Sequence, residues 1–232
     1  DRNGLQIQGA SQSLNASAEN GTFIAGGTDK LQIERGTLTA ATIELNQLDV
    51  TDAVRLQAEL ITQNEAASTG GQITLAAPVI NLTHAENNFA GELILEGAGT
   101  VNLVSKHQLT VGGVVDQFNV SADESLTFTG LLANKLNAEA ERVLQSTQPG
   151  QTLKVSGQTT LKATAVDLRG NNDFQGVVNL QGRHHQLENL SVMDGSILPS
   201  SLGANPQLSI YALTIRNITI LLSNLSKNTL EH

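Results

Sequence analysis

The stretch Asn87-Asn88-Phe89-Ala90-Gly91-Glu92-Leu93-Ile94-Leu95-Glu96-Gly97 occurs a second time, slightly altered, as Asn172-Asp173-Phe174-Gln175-Gly176-Val177-Val178-Asn179-Leu180-Gln181-Gly182. The aromatic residue, both glycines and the last leucine keep their mutual spacing in the two copies. Each copy joins a turn-forming pair to an alternating apolar segment, which is the composition of a structural unit and not of a catalytic motif. The sequence therefore predicts a scaffold that stacks copies of itself.

The match between the two copies extends upstream of these motifs. Gly71-Gln72-Ile73-Thr74-Leu75 corresponds to Gly157-Gln158-Thr159-Thr160-Leu161, and Ile80-Asn81-Leu82 corresponds to Val166-Asp167-Leu168. The residues that we assign to the repeated structural motif itself are Asn87, Asn88, Phe89, Gly91, Leu95, Gly97, Asn172, Asp173, Phe174, Gly176, Leu180 and Gly182.

Short alternating segments, typical of strands with one buried face, run through most of the chain. They are separated by turns rich in Gly and Asn and have no helical spacers, which favours an all-β, parallel β-helix over an antiparallel sandwich. At roughly 20 residues per turn, this predicts about ten turns and a length of about 50 Å. Gly and Asn would occupy the corners, and Phe89 and Phe174 would fill the core beside a corner.

The composition limits the classes of function. The formal net charge is -9, with 13 Lys and Arg against 22 Asp and Glu, which argues against binding nucleic acid or an anionic membrane surface. Cysteine is absent, so a disulfide framework and thiol chemistry are excluded. The longest apolar segments, such as Ile218-Thr219-Ile220-Leu221-Leu222, are far too short for insertion into a membrane.

We expect residues 1–229 to form a single β-helical fragment of a longer protein, and 230–232 to be the start of an affinity tag. Two segments depart from the regular pattern and are candidates for a loop or insertion: 131–150 and 183–207. Period-two alternation from Leu131 to Gln145 favours a strand, whereas its helix-forming residues leave a short helix as the alternative. From Leu208 the alternation resumes through Ile210, Leu213, Ile215, Ile218, Ile220 and Leu222, which predicts further turns of the coil.

No pattern of residues indicates a catalytic, cofactor or metal site, and we predict that the protein is not an enzyme. The nominal carboxylate pairs, each of which is better explained as ordinary solvated surface, are Asp49 with Asp52, Asp116 with Asp123, and Glu139 with Glu141. The chain has no Trp and one Tyr, so the aromatic platforms of a sugar-cleaving cleft are nearly missing. His184 and His185 are adjacent, and on a strand they would point to opposite faces and could not easily bind one ion.

Asn-x-Ser/Thr sequons are a further candidate for modification. They begin at Asn15, Asn20, Asn81, Asn119, Asn189, Asn217 and Asn224. Because Asn, Ser and Thr are abundant, several such sequons are expected by chance.

The motif from Asn172 to Leu180, with its partner from Asn87 to Leu95, resembles repeats of filamentous-haemagglutinin-like exoproteins of two-partner (type Vb) secretion. The resemblance implies a right-handed parallel β-helix, export through an outer-membrane transporter, and a place on the bacterial cell surface or in the medium. That family's secretion domain carries Asn-Pro motifs, whereas Asn205-Pro206 stands late in this chain and out of that context. The resemblance therefore implies the repetitive shaft or an embedded receptor-binding segment.

Three hypotheses follow from the sequence. The first is a rigid shaft of a secreted adhesin that presents a contact surface to an unidentified receptor on a host or bacterial cell. The second is a receptor-binding or shaft segment of a contact-dependent growth inhibition effector. The third, from a different class, is a polysaccharide-degrading β-helix enzyme, because this fold also supports such enzymes.

Overall fold

The computed structural model describes residues 4–148, 150–169, 172–176, 178–180, 214–215 and 218–219. Strands cover most of the chain between Gly4 and Leu180, and they stack in parallel as a β-solenoid of about nine turns. The predicted all-β class and parallel stacking are thus confirmed, and the count of about nine turns refers to the described residues.

Sixteen strands make up the part of the coil that the structure describes, and several of them bend through a corner and continue. They are β1 Gly4–Ile7, β2 Gly9–Ala25, β3 Leu31–Leu45, β4 Leu48–Gln57, β5 Leu60–Gln63, β6 Ser68–Thr69, β7 Gln72–Ala76, β8 Val79–Leu82, β9 Asn88–Phe89, β10 Glu92–Ser105, β11 Gln108–Gln145, β12 Leu153–Val155, β13 Thr159–Lys162, β14 Ala165–Asp167, β15 Asp173–Phe174 and β16 Val178–Leu180.

Each turn contributes three strand segments, and each segment pairs in parallel with its equivalent in the next turn. In the first half these paired segments form three stacks. The first stack contains β3, β4, β6 and β9, and the second contains β3, β4, β7 and β10. The third stack contains β3, β5, β8 and β10. In the second half, β11 pairs with β12, β13 and β14. The number of residues along the chain between two residues paired on adjacent turns varies little. It is small between Leu31 and Leu48 and larger between Leu136 and Thr159.

Apolar side chains fill the inside of the coil as columns. One column of side chains is continuous through seven turns and consists of Leu5, Phe23, Ile43, Ile61, Ile80, Val101 and Phe118. All of these side chains except that of Leu5 are at most 1% exposed. Each fully buried aliphatic or aromatic side chain contributes roughly 1.5–3 kcal/mol relative to leaving it in water. The buried residues form one cluster from Phe23 to Leu168, so the two copies of the repeat share a single core.

The segment Leu131–Gln145 is strand throughout and belongs to β11, which confirms the strand interpretation over the helix. Leu136, Ala138 and Ala140 are buried in alternation, as predicted, and Leu131 and Ala133 are buried before them. The departure expected for 131–150 is therefore limited to the corner between Gln145 and Leu153. Leu131 still pairs with Leu153 on the next turn. The additional residues of this turn lie in the corner, so the register of the core strands is unchanged.

The alternation predicted from Leu208 onward is wrong at Ile215 and Ile218. Thr214–Ile215 and Ile218–Thr219 are helical, and Thr219 Oγ1 donates to the Ile215 carbonyl at 2.9 Å. Tyr211, Ile215, Ile218 and Leu222 also follow the spacing of one helix face, so this segment satisfies the helical period as well as the strand period. The segment 183–207, with Gly182 before it, lies outside the described residues.

Within the described part of the chain, no helix is long and apolar enough to cross a membrane.

Candidate functional site

An asparagine ladder runs along the outer surface of the coil over three consecutive turns. Asn81 on β8, Asn102 on β10 and Asn119 on β11 are paired in register. Asn102 Nδ2 donates to Asn81 Oδ1 at 2.6 Å, and Asn119 Nδ2 donates to Asn102 Oδ1 at 2.9 Å. Stacked amides of this kind also stabilise parallel in-register sheets in other assemblies, because one side chain supplies both the donor and the acceptor.

The alternation of each strand places these amides outside. Asn102 lies between Val101 and Leu103, both at most 1% exposed, and in a strand successive side chains point to opposite faces. Asn81 and Asn119 likewise have buried apolar neighbours on either side, Ile80 with Leu82 and Phe118 with Val120. Burial of the neighbours therefore fixes the orientation of the ladder.

A shallow depression of about 290 Å³ lies on the ladder. Its lining includes Asn102, Val104, Asn119, Ser121, Asn137 and Glu139. Asn137 and Glu139 follow Asn119 and Ser121 in the chain by about one turn of the coil. The depression therefore spans several adjacent turns and is lined mainly by uncharged groups. Its carboxylate, Glu139, lies 3.3 Å from Lys162 Nζ in an exposed ion pair.

The first copy of the repeated motif is a corner held by Asn87, whose side chain is fully buried. Its Oδ1 accepts from the Ala67 backbone N–H and from Gln63 Nε2, both at 2.9 Å. Its Nδ2 donates to Gln63 Oε1 at 2.9 Å, and to the carbonyls of Leu82 and Val104 at 3.2 Å. One amide thus ties together three consecutive turns.

Asn172 makes the equivalent hydrogen bonds to a glutamine and to a backbone N–H in the second copy. Its Oδ1 accepts from the Leu153 backbone N–H at 2.9 Å and from Gln145 Nε2 at 3.0 Å, and its Nδ2 donates to Gln145 Oε1 at 2.8 Å. The two glutamines also match, because Gln63 Nε2 donates to the Glu65 carbonyl and Gln145 Nε2 to the Gln151 carbonyl. The motif therefore repeats a side-chain clamp as well as a strand.

The motif glycines mark close contacts between turns. A Cβ on Gly91 would lie 1.8 Å from the Gly71 carbonyl oxygen, and one on Gly176 would lie 2.0 Å from that of Gly157. Gly97 differs, since its φ of 60° places it in the left-handed region while the space around its Cα is open.

The other motif residues occupy ordinary structural positions. Phe89 and Leu95 are 1% exposed, which agrees with the core position predicted for Phe89, and Phe174 is half-buried against the same core. Asn88 and Asp173 pair with Ser68 and Lys154 of the preceding turn, and Leu180 pairs with Leu161. The motif residues described here thus hold the turns in register.

The nominal carboxylate pairs lie at the surface, and Asp49, Asp52, Asp116 and Glu139 each contact a different neighbour. Asp49 contacts Lys30 Nζ at 3.2 Å, and Asp52 contacts Arg35 Nε at 2.5 Å. Asp116 Oδ1 accepts from Asn134 Nδ2 at 3.1 Å. Among the described residues, no group of three or more His, Asp or Glu is arranged to hold a metal ion. His184 and His185 lie outside these residues.

Ion pairing at the surface shifts a few pKa values. A hydrogen bond from Lys106 lowers the pKa of Glu86, and one from Arg169 lowers the pKa of Asp167. Hydrogen bonds to Asp52 and Asp167 raise the pKa of Arg35 and Arg169, respectively. These groups are solvent-exposed, so the shifts reflect local pairing and contribute little to stability.

Two of the predicted sequons belong to the ladder, because Asn81 and Asn119 use their amides in it. Asn15 accepts from the Thr37 backbone N–H at 3.0 Å, whereas Asn20 is exposed. Asn189, Asn217 and Asn224 lie outside the described residues. Modification of Asn81 or Asn119 would therefore compete with the hydrogen bonds of the ladder.

The ladder and the roles of Gln63 and Gln145 were not predicted from the sequence. An available signal was the recurrence of an Asn between two apolar residues about once per turn, at Asn81, Asn102, Asn119 and Asn137.

Two family models match parts of the chain. One, described as repeats of unknown function (DUF5649), covers residues 34–96 and includes most of the first motif. The other, described as GMC oxidoreductase, covers residues 138–214, about a third of the chain, and its described part between 138 and 180 consists of turns of the same solenoid. No curated protein and no solved structure matches the chain.

Proposed function

We propose that this chain is a segment of a large secreted bacterial surface adhesin, in which the β-solenoid is a stiff shaft that carries a contact surface. The observation that supports this most is the continuous parallel stack from Gly4 to Leu180 around one core. A coil whose every turn is bonded to the next resists bending and places surface features at fixed distances along its axis.

The outer surface supports a role in contact rather than in catalysis. A glycosidase needs two carboxylates across one cleft. The depression on the asparagine ladder contains Glu139, which is paired with Lys162, and is otherwise lined by amides, hydroxyls and short apolar groups. Such a surface can bind a ligand without transforming it.

Export through an outer-membrane transporter and display at the cell surface are parts of this proposal. They rest on the similarity of the two motifs to repeats of secreted exoproteins, and the DUF5649 match supports only the repetitive character of the chain. The match to GMC oxidoreductase gives the proposal no support. A receptor-binding segment of a contact-dependent growth inhibition effector would use the same shaft but meet a neighbouring bacterium.

Binding of the purified, fluorescently labelled chain to cultured mammalian cells and to Gram-negative bacteria tests the proposal. Saturable binding to the mammalian cells alone supports the adhesin, whereas saturable binding to the bacteria alone supports the inhibition effector. A β-solenoid of similar length and net charge, but without the ladder, is the control for non-specific adsorption. Binding to neither cell type, or binding equal to that of the control, would overturn both.

A further inference from the structure

We infer that the asparagine ladder and its depression bind a neutral, polyhydroxylated chain, that is, an uncharged glycan. This inference rests on the proposed contact function and assigns it a surface and a ligand class. The four residues that carry it are Asn102, Asn119, Ser121 and Asn137, all of which line the depression.

The hydrogen-bonding capacity of the ladder suits hydroxyl groups. A carboxamide has two N–H donors and an oxygen with two lone pairs. Asn102 uses one donor on Asn81 and accepts once from Asn119, so one donor and one lone pair remain for a ligand. A sugar hydroxyl both donates and accepts, and it can therefore satisfy either group.

The ladder is also repetitive along the coil. Equivalent amides recur on adjacent turns, about 4.8 Å apart. A linear polymer lying along the axis meets a similar donor and acceptor on each turn, whereas a small compact ligand meets only one or two of them. Because the side chains of Asn102 and Asn119 are already held by the hydrogen bonds of the ladder, little of their side-chain entropy is lost on binding.

The charge of the protein surface favours a neutral glycan over an anionic one. The lining of the depression contains no cation, its charged side chain, Glu139, is paired with Lys162, and the whole chain carries a formal charge of -9. Polyanions such as sulfated polysaccharides would be repelled by this balance. Val104, which is half-buried and pairs with Ser121 of the next turn, supplies a small apolar contact for the C–H groups of a sugar ring.

The test uses two variants in the depression and one matched control. Ser121→Arg places a long side chain in the depression, and Asn137→Ala removes an exposed amide from it. Gln57→Arg, at the exposed end of β4, makes the same change of charge as Ser121→Arg away from the ladder. Circular dichroism spectra equal to that of the parent chain establish that each variant is folded.

The four proteins are applied to a printed array that contains neutral, sialylated and sulfated oligosaccharides. We expect binding to neutral oligosaccharides that falls at least tenfold in Ser121→Arg, falls several-fold in Asn137→Ala and is unchanged in Gln57→Arg. Absence of glycan binding, a preference for sulfated glycans, or equal binding by Ser121→Arg and Gln57→Arg would overturn the inference.

The same variants separate this inference from the proposed function. If the parent chain binds cells and Ser121→Arg binds them equally well, the contact function stands and the ladder is not its surface. If no protein binds cells, the contact function fails, and the array still decides whether the ladder binds neutral glycans.

Discussion

Gln63 and Asn87 join their side-chain amides by two reciprocal hydrogen bonds of 2.9 Å each, across adjacent turns of the coil. Gln145 and Asn172 form the same pair at 3.0 and 2.8 Å. In both copies the Asn oxygen also accepts a backbone N–H from the preceding turn, from Ala67 or from Leu153. This clamp satisfies buried polar groups at a corner where the regular ladder of backbone bonds is interrupted.

Removal of the clamp should destabilise the coil strongly. Asn87→Ala leaves the Ala67 backbone N–H without its partner and removes both hydrogen bonds between the Asn87 and Gln63 amides, so we expect a loss of about 3 kcal/mol in the free energy of unfolding. Asn88→Ala is the matched control, because its half-exposed side chain takes no part in the clamp, and its effect should stay within about 1 kcal/mol. Urea denaturation followed by circular dichroism measures both. Similar midpoints for the two variants would contradict the role of the clamp.

The stacked glycines should tolerate alanine much less well than an open glycine does. In Gly91→Ala the new Cβ would lie 1.8 Å from the Gly71 carbonyl oxygen, so the backbone of two turns must separate. We expect a cost of more than about 2 kcal/mol, compared with about 1 kcal/mol for Gly97→Ala, where only the left-handed backbone angle is strained. Thermal unfolding of the two variants compares them, and a larger loss in Gly97→Ala would refute the stacking argument.

Two buried threonines should be replaceable with a gain in stability. Thr69 and Thr159 are at most 1% exposed, and neither hydroxyl has a hydrogen-bond partner. A valine of nearly the same shape removes the cost of burying that hydroxyl, so Thr69→Val and Thr159→Val should each stabilise the chain by about 1 kcal/mol. Thr129→Val is the control, because the Thr129 hydroxyl bonds to Glu92 at 2.5 Å and its loss brings no gain. Chemical denaturation distinguishes these outcomes.

The ion pair of Glu86 and Lys106 should contribute to stability only above acidic pH. Lys106 lowers the pKa of Glu86 below its ordinary value of 4.5, so the contribution is present above that value and is lost as the pH falls through the lower, folded-state value. In Lys106→Ala we expect the pKa of Glu86 to return toward 4.5, measured by carboxyl-carbon NMR titration. The small stability difference from the parent chain should vanish at pH values below both pKa values. A difference that persisted there would point to lost packing of the lysine chain instead.

The fold could be predicted from the sequence because period-two alternation indicates each strand and the repeated glycines indicate the corners between strands. Phe89, for example, follows a turn pair and precedes a glycine, and it is buried as that pattern requires. The resemblance between the two motifs also pointed to equivalent corners, and Asn87 and Asn172 do make equivalent hydrogen bonds.

The candidate site could not be predicted as readily, because it depends on contacts between turns. Asn81 and Asn102 are 21 residues apart, whereas Asn102 and Asn119 are 17 residues apart, so a single fixed period does not bring all three together. Gln145 stands further from its asparagine in the sequence than Gln63 does, since the second corner is longer. Around Ile215 the sequence fits two periods at once, and the local pattern alone does not choose between them.

The near-constant sequence step between paired strands has a kinetic consequence. Every strand finds its partner within about one turn of chain, so the loop that must close for each new turn is short and its entropic cost hardly changes along the molecule. Growth of the coil can thus proceed one turn at a time on the edge of the last turn formed. A chain that emerges end first from a narrow opening would not need to wait for its distant half before it folds.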